Sequence, residues 1–272
     1  MPKKIYGLFL VALLINAVLS GCSNQNQKLA HQADHQQIIK ATPMPKRIKY
    51  VPPPEETALQ SNGPKSESKH MHFHGPRGLK LVALTFDDGP DKKYTGQILN
   101  ILKKYRIRAT FFVLGKQVKA HPDMLKRIHN EGHIIGNHSW GHPYLPHLSN
   151  KKLAQEMNQT NYVVNQLIGK DMRLMRPPYG AVKGKIKTLE QMGFEMVQWD
   201  IDTLDWKKGR TAEDILQTVK TNLAPGSIIL EHNAGGPRDA TVKSLPQLIE
   251  YLRQQGYQFV TIDELLRIPA YK

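Results

Sequence analysis

The chain has 272 residues, 38 Lys+Arg against 23 Asp+Glu, a formal net charge of +15 and a single cysteine. That length admits one large α/β domain with an extension, or two small domains, and one cysteine excludes an intrachain disulfide framework. The basic balance points to an anionic environment, whether nucleic acid, anionic lipid or acidic wall polymer; no compact Arg/Lys block or nucleic-acid motif favours the first, and neither a nucleic-acid nor a protein partner is expected.

In chain order, Lys3 and Lys4 precede an apolar run from Ile5 to Leu19, followed by Ser20-Gly21-Cys22. A basic start and an apolar run of about 15 residues have the make-up of an export signal and are short for a membrane span. The junction Leu19-Ser20-Gly21-Cys22 is similar to a bacterial lipobox, whose cysteine receives a diacylglycerol and becomes the mature N-terminus. That resemblance implies a lipoprotein signal peptide over 1–21, lipidation at Cys22, and an exported protein lipid-anchored to the outer face of the cell membrane. An ordinary cleaved signal with a chance cysteine is the alternative.

From Cys22 to Pro76 the chain is rich in Gln, Asn, Lys, Ser and Pro and sustains no apolar period, so 22–76 reads as a flexible tether. As a coil, roughly 50 residues reach about 40 Å. His70, His72 and His74 near its end read either as a metal-binding tract or, as expected here, as the polar end of the linker.

A single catalytic domain is expected over 77–272, where strand and helix signals alternate. Candidate strands run over 79–87, 107–115, 133–139, 174–180, 194–201, 227–232 and 257–262. Helical patterns cover 94–105, 122–131 and 153–168, the last with Leu153, Met157, Val164 and Leu167 on one stripe. Further helical segments cover 182–193, 211–223 and 244–256, ending on Gly256. The alternation predicts a parallel sheet, open or closed into a barrel, though about 195 residues are few for eight full βα units.

In α/β proteins the chemistry gathers at the carboxyl ends of the strands. Here those ends carry Asp87-Asp88, then His138-Ser-Trp-Gly-His142, then Arg176-Pro-Pro-Tyr179-Gly180, then Asp200, Asp202, Asp205 and Trp206, and finally Glu231-His232. Each alone is weak. An HxxxH pair on one helical face can bind a metal but recurs by chance, and the others read equally as an acidic turn, a stiff loop or a structural histidine. In burying two adjacent acids the first strand faces a cost unless each finds a partner.

Taken in order, TFDDGP, HSWGH, RPPYG, DTLDW and LEH resemble the polysaccharide deacetylase family (NodB homology, carbohydrate esterase family 4) over residues 79–265. The resemblance implies an α/β fold, a distorted (β/α) barrel of about seven parallel strands. It implies a divalent metal on Asp88, His138 and His142, with Zn2+ expected and Co2+ or another ion open. Asp87 would be the general base, paired with Arg176; His232 would be the general acid, oriented by Asp205. The backbone N–H of Tyr179 would serve the oxyanion, and Trp206 and Leu230 would line the acetyl-methyl slot. Acetate and a free amine would be the products.

Two positions depart from the family pattern. Glu231 stands where an apolar residue is usual and Asn233 where Asp is common; an extended strand would turn Glu231 away from His232, with little effect on the chemistry. Some muramic-acid-acting relatives have Asn in place of Asp88, which favours N-acetylglucosamine units here. His121, His129, His133 and His147 are expected in loops or at the surface. Trp140 and Tyr144 are open between sugar stacking and core packing. The substrate expected is peptidoglycan glycan, with chitooligosaccharide, a poly-N-acetylglucosamine exopolymer or acetylated xylan as alternatives. A catalytically silent wall-binding lipoprotein is the alternative of another class.

Overall fold

The computed structural model describes residues 68–272; the expected signal peptide, Cys22 and the expected tether as far as residue 67 lie outside the described residues. Nine strands form one sheet: β1 (Met71–His72), β2 (Leu81–Asp87), β3 (Thr110–Val113), β4 (Ile134–Asn137), β5 (Leu174–Met175), β6 (Glu195–Val197), β7 (Ile201–Asp202), β8 (Ser227–His232) and β9 (Gln258–Phe259). Their order is β1-β6-β5-β4-β3-β2-β8-β7, and every pairing is parallel. β8 takes one edge of β2, so β9 and β3 share the other, β9 at Leu81–Val82 and β3 from Thr85 to Asp87.

The topology forces the sheet to curl. β6 lies near one end of the strand order and β7 at the other, yet only Gln198, Trp199 and Asp200 join them. Such a link spans at most about 14 Å, so the two ends are drawn together into an incomplete, distorted (β/α) barrel.

Alternation along β2 sorts its side chains. Val82, Leu84 and Phe86 join the outer core, packed with Ile98, Leu99 and Leu102 of α1 (Tyr94–Tyr105) and Leu245, Leu248 and Leu252 of a later helix. Ala83 instead joins Phe112, Leu174, Val197 and Ile228 in a separate apolar cluster that includes Ile262 and Leu265. Thr85 and Asp87 continue the Ala83 row toward the carboxyl end of the sheet. The apolar filling at one end and the polar row at the other position the site.

Around the sheet run α2 (Gly115–Ala120), α3 (Pro122–Asn130), α4 (Asn150–Ile168), α5 (Ile186–Gln191), α6 (Ala212–Asn222), α7 (Asp239–Gln254) and α8 (Ile262–Leu266). Ser149 caps α4 and Gly169 ends it at φ +65°. The expected stripe is buried, Leu153 and Met157 in one cluster and Val164 in another, with Leu167 packed beside it.

Four boundaries differ from the sequence pattern. The folded part begins before residue 77, because Met71 and His72 pair with Met196 and Val197; residues 68–76 are therefore not tether. The apolar run 194–201 breaks into β6 and β7 at the barrel seam. α7 starts at Asp239 rather than Ser244 and carries Pro246 inside it. The run 257–262 keeps only two strand residues before Thr261, whose backbone N–H donates to Glu264, opens α8.

Candidate active site

Asp87 ends β2 in register with Phe112 of β3 and His232 of β8. Asp88 then leaves the strand with φ +76°, a left-handed conformation that Asp tolerates better than most residues. Strict alternation ends there, and both carboxyl groups line one pocket. Asn233 secures the turn: its Oδ1 accepts from the Gly89 N–H at 3.1 Å and its Nδ2 donates to Thr95 Oγ1 at 2.8 Å.

Arg176 is wholly buried, which demands that its donors be used. Nη1 donates to Asp87 Oδ1 at 2.9 Å and Thr85 Oγ1 at 2.7 Å, while Nε and Nη2 donate to the carbonyls of Val197 and Gln198. The guanidinium also lies 4.3 Å over the Phe112 ring. Arg176 thus ties Asp87 to the β6–β7 seam. Burial nevertheless outweighs Arg176 and the nearby His232 and His142, leaving the Asp87 carboxyl above its ordinary range. The pairing expected from sequence is present; the net direction at Asp87 is that of a stronger base.

The two histidines converge without the helical turn that an HxxxH spacing allows. Residues 138–142 form no helical turn, and Ser139 and His142 both have positive φ, +73° and +63°. Asn137 Oδ1 accepts from Ser139 N, Ser139 Oγ from His142 N, and Glu156 from the N–H groups of Trp140 and Gly141. His138 Nδ1 lies 2.7 Å from the Arg176 carbonyl, so its Nε2 faces the pocket, 3.7 Å from Asp87 Oδ2 and Asp88 Oδ1. His142 Nε2 is 3.6 Å from Asp88 Oδ1. Burial pushes His138 down to about 3, so its ring is neutral, as ligation requires.

Asp88, His138 and His142 offer ligand atoms all within 4.8 Å of one another, and no other such cluster occurs among the described residues. Asp88 Oδ1 is buried with no hydrogen-bond partner, and the backbone hydrogen bond at His138 Nδ1 fixes which ring nitrogen is offered. Two imidazoles and a carboxylate fit a divalent ion with open positions for water and substrate.

His232, the register partner of Asp87, lines the same pocket. Its Nδ1 is 2.7 Å from Asp205 Oδ1, and its backbone N–H donates to Asp205 Oδ2, which also accepts from Thr241 at 2.7 Å. Burial alone would lower His232, but the hydrogen bond and charge of Asp205 raise it; against the same desolvation, those contacts hold Asp205 low.

The cavity has a volume of about 370 Å³. It brings together Asp87, Asp88, His138, His142, Tyr179, Trp206, Leu230 and His232; Arg176 and Asp205 stand behind this lining. Pro177, Trp199 and Asp202 complete the wall without having been assigned there from sequence. Thr85, Thr241, Glu156 and the supporting role of Asn233 were also missed. They act through partners distant in sequence, and no local pattern marks them.

Of the remaining histidines, His133 is not at the surface. It is buried, its Nδ1 accepts from Ala109 N, and burial takes it down to about 4. His70 and His72 bind Glu195 at 3.0 Å each instead of ending a linker. Trp140 packs against Gly115, where an added Cβ would lie 2.4 Å from the indole, whereas Tyr144 is exposed.

Fold and site together define a carbohydrate-deacetylating enzyme, and the chain belongs to the polysaccharide deacetylase family, whose model matches residues 74–197. It is 40% identical over 197 residues to a peptidoglycan-N-acetylglucosamine deacetylase of Bacillus cereus, covering 72% of this chain and 71% of that one. It is 37% identical to the peptidoglycan-N-acetylglucosamine deacetylase PgdA of Listeria monocytogenes, covering 84% of this chain but spanning about half, 47%, of that longer one. Among solved structures, the Bc1960 peptidoglycan N-acetylglucosamine deacetylase in complex with an N-oxidanyl-benzamide matches with a TM-score of 0.73 and 38% identity, over 75% of this chain and 95% of that one. BA3943, a family pseudoenzyme from Bacillus anthracis, matches with a TM-score of 0.67 and 31% identity, over 72% and 68%.

Proposed function

We propose that this polysaccharide deacetylase is a metal-dependent enzyme that removes N-acetyl groups from the N-acetylglucosamine units of peptidoglycan, exported and held at the membrane through a lipid on Cys22. The observation that carries the chemistry is the convergence of Asp87, Asp88, His138 and His142 in one pocket with His232, which Asp205 holds from behind the lining. The relatives' names and Asp88 support the sugar, and the basic charge suits an anionic wall. The membrane attachment rests on the lipobox alone.

A divalent ion, Zn2+ in the first instance, held by Asp88, His138 and His142 would polarise the amide carbonyl and make water acidic enough to attack at neutral pH. Asp87, desolvated and fixed by Arg176, takes the proton of the attacking water. As the oxygen adds to the acetyl carbon, the Tyr179 N–H donates to the developing oxyanion. His232, charged through Asp205, passes a proton from Nε2 to the amide nitrogen as the C–N bond breaks. Leu230 and Trp206 receive the methyl group, and acetate and a free amine leave.

Incubating the full chain with zinc and peptidoglycan, N-acetylglucosamine oligomers or acetylated xylan, and measuring acetate, tests this reading. Release from peptidoglycan that stops on chelation is expected. The pseudoenzyme neighbour gives the second reading substance: metal bound at the site with no acetate from any glycan would make this chain a silent wall-binding protein. Palmitate labelling lost in Cys22→Ser tests the anchor.

A further inference from the structure

Aromatic surface continues beyond the pocket. Tyr179, 66% exposed, forms part of the pocket lining, and His142 meets its ring edge-on at 4.5 Å. Tyr144, 46% exposed, lies 6.3 Å from the Tyr179 ring and meets His147 edge-on at 4.7 Å. Four rings therefore run outward from the proposed metal position, and Tyr144 and His147 lie outside the pocket lining.

The outer rings of the strip, Tyr144 and His147, come from one loop of the fold. Tyr144 sits between Pro143 and the short 3-10 turn Leu145–His147, and Leu145 is fully buried beneath it. No hydrogen bond engages the Tyr144 hydroxyl among the described residues, so nothing polar in the fold accounts for its placement. A tyrosine has only two side-chain torsions to fix, so it loses little entropy on contact with a ligand. The pocket, about 370 Å³, is at the small end for a ligand site. A polymer longer than the reacting sugar extends past this lining and across the rim.

We propose that Tyr144, with Tyr179 beside it and His147 behind it, is a stacking platform for the pyranose next to the one that loses its acetyl group, and that it makes the enzyme favour chains over single sugars. The C–H face of a pyranose is apolar while its rim is polar, which matches a tyrosine that presents an apolar face and a free hydroxyl. Continuity with the pocket selects a glycan as occupant. The proposal rests on the deacetylase reading.

The test uses the zinc-loaded full chain as wild type, Tyr144→Ala and Tyr144→Trp, with N-acetylglucosamine oligomers from monomer to pentamer. Tyr144→Ala should raise KM for the tetramer and pentamer about fivefold to tenfold, the strength of one aromatic contact. It should leave kcat within about twofold and the monomer unaffected, as loss of uniform binding does; Tyr144→Trp should restore the wild-type KM. Equal KM values for Tyr144→Ala and wild type at every length would overturn the proposal while leaving the deacetylase reading intact. If no oligomer releases acetate, calorimetric binding of the pentamer to the same three proteins still decides. Weakening by Tyr144→Ala supports the platform, and unchanged binding, or no binding by wild type, removes it.

Discussion

His232 shows how one contact decides a residue's chemistry. Buried without a partner it would lose its proton easily; beside Asp205 its affinity for the proton is raised. A histidine raised in this way gains stability that is full below its unfolded value and lost as pH rises through the folded one. The proton a leaving amine needs is therefore retained to higher pH. Asp205→Asn should shift the alkaline limb of the kcat profile to lower pH and reduce kcat by about 10²-fold or more, with zinc binding unchanged; pH–rate profiles with parallel metal titrations check it. An alkaline limb left in place would remove His232 as the acid.

Asp87 and Asp88 are chemically alike and adjacent, yet the turn after β2 gives them different partners. Asp87→Asn keeps the shape and loses the base, so zinc affinity should stay within about threefold while turnover falls by about 10³-fold. His138→Ala should lose both. Zinc titration beside acetate release separates the two outcomes. Glu231 has no such partner: it is fully buried, both oxygens lack hydrogen bonds, and burial reinforced by Asp205 lifts its carboxyl well above the ordinary range. The sequence reading that it turns away from His232 agrees with its burial in β8, but its consequence is for stability. The unfolded chain gives up this proton near 4.5 while the folded one retains it, so Glu231 destabilises increasingly as pH rises above 4.5 toward its folded value. Glu231→Leu should stabilise the protein by about 1–3 kcal/mol at neutral pH, with a smaller gain near pH 4, read by urea denaturation across pH.

At the scale of elements, the turns that follow the strands matter more than the strands. Gly235 lies in the loop after β8 with φ +76°, and an added Cβ would lie 2.5 Å from Asp88 Oδ2. Gly235→Ala would therefore combine an unfavourable backbone with displacement of a ligand carboxylate. Its zinc affinity should fall by about 10–100-fold, as for other losses of ligand support, while unfolding remains cooperative; zinc titration and denaturation together check this. Such support was hidden in the sequence for a physical reason. The strand-end residues announced themselves because titratable groups ending apolar runs are costly unless used. Asn233 reaches Gly89 across 144 residues, and Thr241 reaches Asp205 across 36, contacts that no local period encodes. Nor does a helical turn present the HxxxH pair: Asn137, Ser139 and Glu156 side chains accept the backbone N–H groups of residues 139–142 instead.

Over the whole molecule, alternation of strand and helix made a parallel sheet legible, and the family resemblance implied the barrel, but neither showed where it closes. The run FEMVQWDI looks like one strand, and only the pairing of its halves with opposite ends of the sheet reveals the seam. β1, at the end beyond β6, was hidden for the opposite reason: two residues, one of them a histidine, carry too little apolar pattern to register as a strand. What holds that edge is Glu195, buried on β6 and bound by His70, His72 and Arg173 at 3.0 Å each. Burial raises the Glu195 carboxyl, but hydrogen bonds from His72, Arg173 and His70 more than offset this and leave it lowered. A lowered carboxylate contributes stability that is present above its unfolded value and lost as pH falls through the folded one. Glu195→Gln should therefore cost about 2 kcal/mol at pH 7, the scale of hydrogen bonds to a charged group, and progressively less below pH 4.5. Amide exchange in the mutant should rise first at Met196 and Gln198, whose N–H groups donate to the carbonyls of His70 and His72. The Asp87–Arg176 pair should be untouched, because Arg176 is held by the carbonyls of Val197 and Gln198 from inside the barrel. Loss of turnover in step with loss of β1 would show instead that the edge clasp and the seam act as one unit.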